Sequence, residues 1–154
     1  MIKIIKQLCN NIIRRVAMNK EKRAIFNETQ IGDMLWCNMP LPKKQLKEIE
    51  ESHRVRPYLV VEKGQNFLLC YQSSSKNREE LNNYQKYFIN GKKYRNKKDS
   101  WIDLTEIQKI KIKNIQSPYI KLSQIDIKKI EKRISRIFAA SSYLSSLPKN
   151  PPLL

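Results

Sequence analysis

The segment Glu51-Ser52-His53-Arg54-Val55-Arg56-Pro57 gathers a carboxylate, a hydroxyl, the chain's one imidazole and two guanidinium groups. Such a set suits cleavage of RNA without a metal, because RNA supplies its own nucleophile in the 2′-hydroxyl. The protein then has to accept that proton, neutralise the phosphorane charge and protonate the leaving 5′-oxygen. Arg56 can grip a phosphate through two parallel hydrogen bonds. Glu51 or His53 can take the proton. Ser73 or Ser74, closing a nearby apolar run, can hydrogen-bond the scissile phosphate. The same residues also read as a solvated loop with a surface ion pair, turn-capping serines and an ordinary surface histidine.

A second cluster lies between Tyr84 and Lys98, where Tyr84, Tyr87, Phe88 and Tyr94 alternate with Lys86, Lys92, Lys93, Arg95, Lys97 and Lys98. Single-stranded nucleic acid is held by that combination, with bases stacked on rings and cations following the phosphates. Candidate RNA contacts are therefore Lys92, Lys93, Tyr94 and Arg95, with Arg54, Ser74 and Lys76 beside the first cluster. The other reading turns the aromatics inward from a hairpin and leaves the lysines in solvent. Across all 154 residues, 31 Lys and Arg against 14 Asp and Glu give a net charge of +17. That balance favours a polyanionic partner, nucleic acid before an anionic membrane; lysines that merely keep an Ile- and Asn-rich chain soluble are the plainer alternative.

Other chemistries find no support. The three glycines build no phosphate-cradling loop, the three cysteines show no C-x-x-C spacing, and one histidine makes a structural zinc site untenable. Carboxylates are scattered among lysines, against a two-metal nuclease. No cofactor or metal is expected. Nothing approaches 18 consecutive apolar residues, and the first fifteen residues lack a secretory signal's apolar core. A single domain in a reducing cytoplasm is the expectation. Cys9, Cys37 and Cys70 sit among hydrophobes and read as small core residues.

The elements that must hold these groups follow from periodicity. Ile5, Leu8, Cys9, Ile12, Ile13 and Val16 predict an amphipathic helix over residues 2–18, packed on the body or on a partner in preference to an anionic membrane. A polar stretch follows. Strands are expected at Met34–Cys37, Tyr58–Val61, Phe67–Tyr71 and Tyr87–Ile89, and from Trp101 through Ile107, Ile110 and Ile112. The KKQLKEIEESHRVR segment reads as a loop with one helical turn. Lys63-Gly64-Gln65-Asn66 makes one hairpin turn, and Asn90-Gly91 another, leading to a strand around Tyr94. Ser123, with Asp126 three residues on, caps a helix whose Ile127, Ile130, Ile134, Ile137 and Phe138 face the core. Short strands with a closing helix describe a small antiparallel barrel of the α+β class.

The order of these features resembles the MazF/PemK (Kid-like) family of toxin endoribonucleases. Gly32-Asp33-Met34-Leu35-Trp36 is similar to the family's first strand. Glu51 stands five residues before the arginine of Arg56-Pro57-Tyr58-Leu59-Val60-Val61. Gln72-Ser73-Ser74 matches the family's Thr/Ser strand end, Leu104-Thr105-Glu106-Ile107-Gln108-Lys109-Ile110 its later Leu-x-x-Ile-x-x-Ile strand, and Leu122-Ser123 its final helix start. The resemblance covers residues 31–138, leaving 1–30 as an added helical extension and 139–154 as a flexible tail.

The resemblance implies an SH3-like barrel with a C-terminal helix, usually dimeric. It implies metal-independent cleavage of single-stranded RNA to a 2′,3′-cyclic phosphate, and inhibition by a small acidic antitoxin. Arg56 matches the catalytic arginine and Ser73 the hydroxyl residue. Thr105 stands where many members carry an aspartate, with Asp103 two residues earlier, and the basic insertion before Trp101 is long. A non-catalytic RNA-binding barrel and a degenerate toxin-like interaction protein are the alternatives.

Overall fold

The computed structural model describes residues 1–95 and 97–146. In chain order the elements are α1 (Ile2–Glu28), β1 (Asp33–Asn38), the short α2 (Lys43–Lys47), β2 (Val55–Lys63), β3 (Phe67–Ser74), β4 (Lys86–Ile89), β5 (Ser100–Lys111), β6 (Ile115–Lys121) and α3 (Gln124–Ser146). The strands form one antiparallel sheet in the order β4-β5-β3-β2-β1-β6. This is the expected α+β class, with a helix at each end of the sequence.

Both faces of the sheet are covered, which explains why β1 and β2 are written as unbroken apolar runs. Leu35, Cys37, Tyr58, Val60, Leu68, Cys70, Ile110 and Ile115 bury one face around Phe26 of α1. Met34, Leu59, Tyr71, Ile102 and Leu104 bury the other beneath Leu122 and Ile130. Neighbours such as Met34 and Leu35 thus serve opposite layers. Gly32 lets α3 approach closely. Its φ is +94°, and a Cβ there would stand 2.4 Å from Ile127 Cδ1.

Several elements differ from the sequence expectation. α1 continues to Glu28 because its polar second half is made of good helix formers, while only Ile25 and Phe26 need to pack. Its first two thirds pack on no other described part of the chain, so Cys9 is exposed while Cys37 and Cys70 are buried. Asn90-Gly91 does not make a two-residue turn. Ile89 pairs with Ser100, and residues 90–99 form a long connection that opens with a 3-10 turn, Gly91–Tyr94, instead of a strand. β6 was not anticipated, because Pro118 interrupts its pattern; proline is tolerated since β6 is an edge strand with register shifts against β1. Ile112 falls in a 3-10 turn after β5. α3 runs past residue 138 to Ser146, with Ile127, Ile134 and Ile137 partly buried and Phe138 exposed at the edge of that stripe. Residues 147–154 of the expected tail lie outside the described residues.

Candidate active site

The sheet topology brings the sequence candidates to one end. β3 runs antiparallel to both β2 and β5, with Tyr58 opposite Gln72 and Ser74 opposite Trp101. The start of β2, the end of β3 and the start of β5 therefore meet. An open groove of about 460 Å³ lies there. Arg56, Ser73 and Ser74 line it, as the sequence predicts, and Ser52, Ser75 and Ser100 join them. The connection 90–99 adds Lys97, Lys98 and Asp99, while Trp36 of β1 and Tyr119 of β6 form its aromatic wall.

Three polar atoms at this groove are buried without a hydrogen-bond partner among the described residues: Arg56 Nε, Ser73 Oγ and Ser100 Oγ. An unpaired buried polar group costs about 1–3 kcal/mol, so native proteins rarely retain one without a use. All three belong to residues that line one groove, and unpaired donors there suit an anionic oxygen that reaches them. Alongside, Trp36 and Tyr119 meet edge to face with centroids 4.8 Å apart, and Lys97 Nζ stands 5.5 Å from the Tyr119 ring. Rings beside ammonium groups are the chemistry that holds unstacked bases and their phosphates.

The lysine-bearing connection is held by Asp99, whose Oδ1 accepts a 2.7 Å hydrogen bond from the Gly91 N–H. Gly91 has to be glycine, because a Cβ would fall 1.6 Å from the Lys97 carbonyl oxygen. At its other end, the connection is clamped to α3. The Asp126 carboxylate, largely buried, accepts from Tyr87, Tyr94, Lys93 at 2.8 Å and Ser123 at 3.1 Å. Burial alone would push this carboxyl up; the four donors outweigh it and hold it at about 2. Ser123 also accepts from the Asp126 N–H at 3.2 Å, the expected cap of α3.

The remaining candidates are dispersed. Glu51 and His53 lie in the one-turn helix before β2, with side chains 90% and 57% exposed, outside the groove lining. Glu51 faces Arg54 Nη1 at 3.9 Å, and His53 Nδ1 faces Glu50 at 3.7 Å. Arg54 ends that turn in helical conformation, donates to the Ile49 carbonyl at 2.9 Å and lines a separate groove with Lys109 and Lys111. Lys76 shares with Ser74 a neighbouring recess containing Arg78 and Asp103. Asp103 is occupied there by Arg78 at 2.7 Å and by Thr105. Lys93 and Tyr94 are engaged with Asp126, Arg95 adopts a left-handed φ of 61° beside Lys97 and Tyr119, and Lys92 is exposed.

Asp99 is thus the one carboxylate among the described residues that line the groove. Sequence reasoning missed it, together with Ser75 and Ser100, because they gain meaning only once β5 is registered against β3 and β4. Lys97 and Lys98 belong to the basic run visible in the sequence. Burial pushes the Cys37 thiol up to about 12 and that of Cys70 higher still, so neither is a nucleophile. Among the described residues no three His, Cys, Asp or Glu side chains are grouped to hold a metal ion. No described helix is long and apolar enough to cross a membrane.

Residues 30–138 match the model of a family described as PemK-like, MazF-like toxin of type II toxin-antitoxin system. Three solved structures share the fold, each with a TM-score of 0.53. An endoribonuclease from a mycobacterial species is 8% identical over 72% of this chain and 91% of its own. The Mycobacterium tuberculosis toxin MazF-mt6 is 10% identical over 70% and 96%. An endoribonuclease from a mycobacterial species, solved with its cognate antitoxin, is 8% identical over 72% and 95%. None of the curated protein sequences matches the chain.

Proposed function

Because the chain belongs to the PemK-like, MazF-like toxin family of type II toxin-antitoxin systems, we propose that it is a metal-independent endoribonuclease acting on single-stranded RNA in the cytoplasm. Three buried donors without a partner among the described residues, Arg56 Nε, Ser73 Oγ and Ser100 Oγ, all belong to residues that line one cation-rimmed groove, and this carries the reading. The scissile phosphate enters the groove with a flanking base against Trp36 and Tyr119. The 2′-hydroxyl attacks in line, its O–H bond breaking as the new P–O bond forms. Arg56 and the two hydroxyls stabilise the phosphorane oxygens. Asp99 is the groove's proton acceptor; Glu51 and His53 serve the RNA strand at the solvent rim. The P–O5′ bond breaks, the 5′-oxygen leaves with a proton taken from water, and a 2′,3′-cyclic phosphate remains. Lys97 and Lys98 neutralise adjoining phosphates.

A small acidic antitoxin is the protein partner that this basic surface suits, as the mycobacterial endoribonuclease solved with its cognate antitoxin illustrates. A second copy is proposed to pack over the apolar groove that α3 forms with the sheet, where Ile31, Ile107 and Phe138 are exposed. The test incubates purified protein with labelled RNA in excess chelator. Cleavage that disappears in Arg56→Ala supports the enzyme. Salt-sensitive binding of intact RNA by the wild type supports a binding module instead.

A further inference from the structure

The 27 residues of α1 extend about 40 Å, yet only the last two turns are attached to the body. Phe26 and Ile25 enter the core, Lys22 Nζ donates to the Lys113 carbonyl at 2.6 Å, and Lys63 Nζ bonds the carbonyls of Asn27 and Thr29 at 3.1 Å. Ahead of them Ile2, Ile5, Cys9, Ile12 and Val16 recur at alternating steps of three and four residues and are exposed, Ile12 by 59% and Val16 by 50%. This is the spacing of a coiled-coil seam with no second helix on it among the described residues, and β-branched residues dominate it.

Charge decides what fits. The first twenty residues contain Lys3, Lys6, Arg14, Arg15 and Lys20 and no Asp or Glu. A second copy would set five cations against five, which opposes self-pairing. A lipid surface would favour aromatic anchors, and residues 1–25 have none. Lys6, Arg15 and Lys20 flank the seam at the positions where paired helices select each other's charge. We infer that residues 2–20 are a docking site for an amphipathic helix whose apolar seam is flanked by Glu or Asp, supplied by the acidic protein partner. Only the identity of that partner rests on the toxin reading; the surface itself does not. The site lies apart from the groove, so it gives the partner a second handle that does not compete with RNA.

The test titrates the full chain with a fluorescent 21-residue helix carrying Leu and Ile at its seam and Glu at both flanks, beside the same peptide with Lys flanks. Binding of the Glu peptide at least tenfold tighter than the Lys peptide is expected, with Cys9 protected from alkylation in the complex. The double variant Ile5→Glu/Ile12→Glu should weaken that binding at least tenfold while leaving helix content and RNA cleavage unchanged. Equal binding of the two peptides, no binding of either, or transfer of α1 to phosphatidylglycerol vesicles with the Glu peptide ignored would each overturn the inference. RNA cleavage measured in the same samples reports separately on the groove: its absence refutes the enzyme reading and leaves the helix result standing.

Discussion

Replacing Ser73 by alanine should raise stability and lower activity together. The Ser73 side chain is fully buried, and its hydroxyl has no partner among the described residues. A hydroxyl that leaves water and finds no hydrogen bond costs the fold about 1–3 kcal/mol. Alanine removes that group and leaves a void of one oxygen atom. The low end of the range, about 1 kcal/mol of stabilisation, is therefore expected. In a domain of this size that amounts to a midpoint about 3 °C higher. Loss of one preorganised donor to the phosphorane should slow cleavage about 10²–10³-fold. Urea unfolding with an unchanged m-value gives the first quantity, and initial rates on a short RNA in chelator give the second. Had the hydroxyl a structural role, its removal would destabilise by about 1 kcal/mol and spare the rate. That opposite pair of signs would refute the assignment of Ser73 to the phosphate.

Three more outcomes follow from the same geometry. Asp126 is held at about 2 against an ordinary 3.8, so its contribution is complete above pH 4 and lost as pH falls through 2; acid unfolding should show about 2 kcal/mol disappearing over that window, absent in Asp126→Asn. Lys97→Ala and Lys98→Ala should each reduce the salt dependence of RNA binding by about 0.7 in log–log slope, whereas Lys93→Ala, whose ammonium is committed to Asp126, should mainly loosen the 90–99 connection, seen as faster amide exchange there. Alkylation of the native protein should modify Cys9 alone, with Cys37 and Cys70 reacting only after unfolding, as mass spectrometry would show.

The parts legible in the sequence were those with local causes. Short apolar runs on either side of the Lys63–Asn66 turn identify β2 and β3, Ser123 marks the start of α3, and Arg56 and Ser73 fall at the ends of those runs. Long-range causes hid the rest. The body needs only Ile25 and Phe26 from the second half of α1, so no periodicity announced that part of the helix. Asn90-Gly91 resembles a hairpin turn by composition, but Gly91 serves a close approach to Lys97, and its N–H donates to Asp99. Glu51 and His53 looked favourable by proximity in sequence; the one-turn helix at Glu51–His53 turns their side chains to solvent. Asp99 and Ser100 carried no motif, and only the pairing of β5 with β3 and β4 brings them to the groove.

The central claim is that the Arg56 guanidinium, whose Nε has no partner among the described residues, and the likewise unpaired Ser73 and Ser100 hydroxyls stabilise the phosphorane made when RNA attacks itself. The most direct measurement is mass spectrometry of the ends produced from a defined oligoribonucleotide in excess chelator, beside the same strand with one 2′-deoxy sugar at the cleaved position. The account predicts 2′,3′-cyclic phosphate and 5′-hydroxyl ends, with the substituted strand left whole at that position. Ends carrying 3′-hydroxyl and 5′-phosphate, or cutting that continues without the 2′-oxygen, would contradict it.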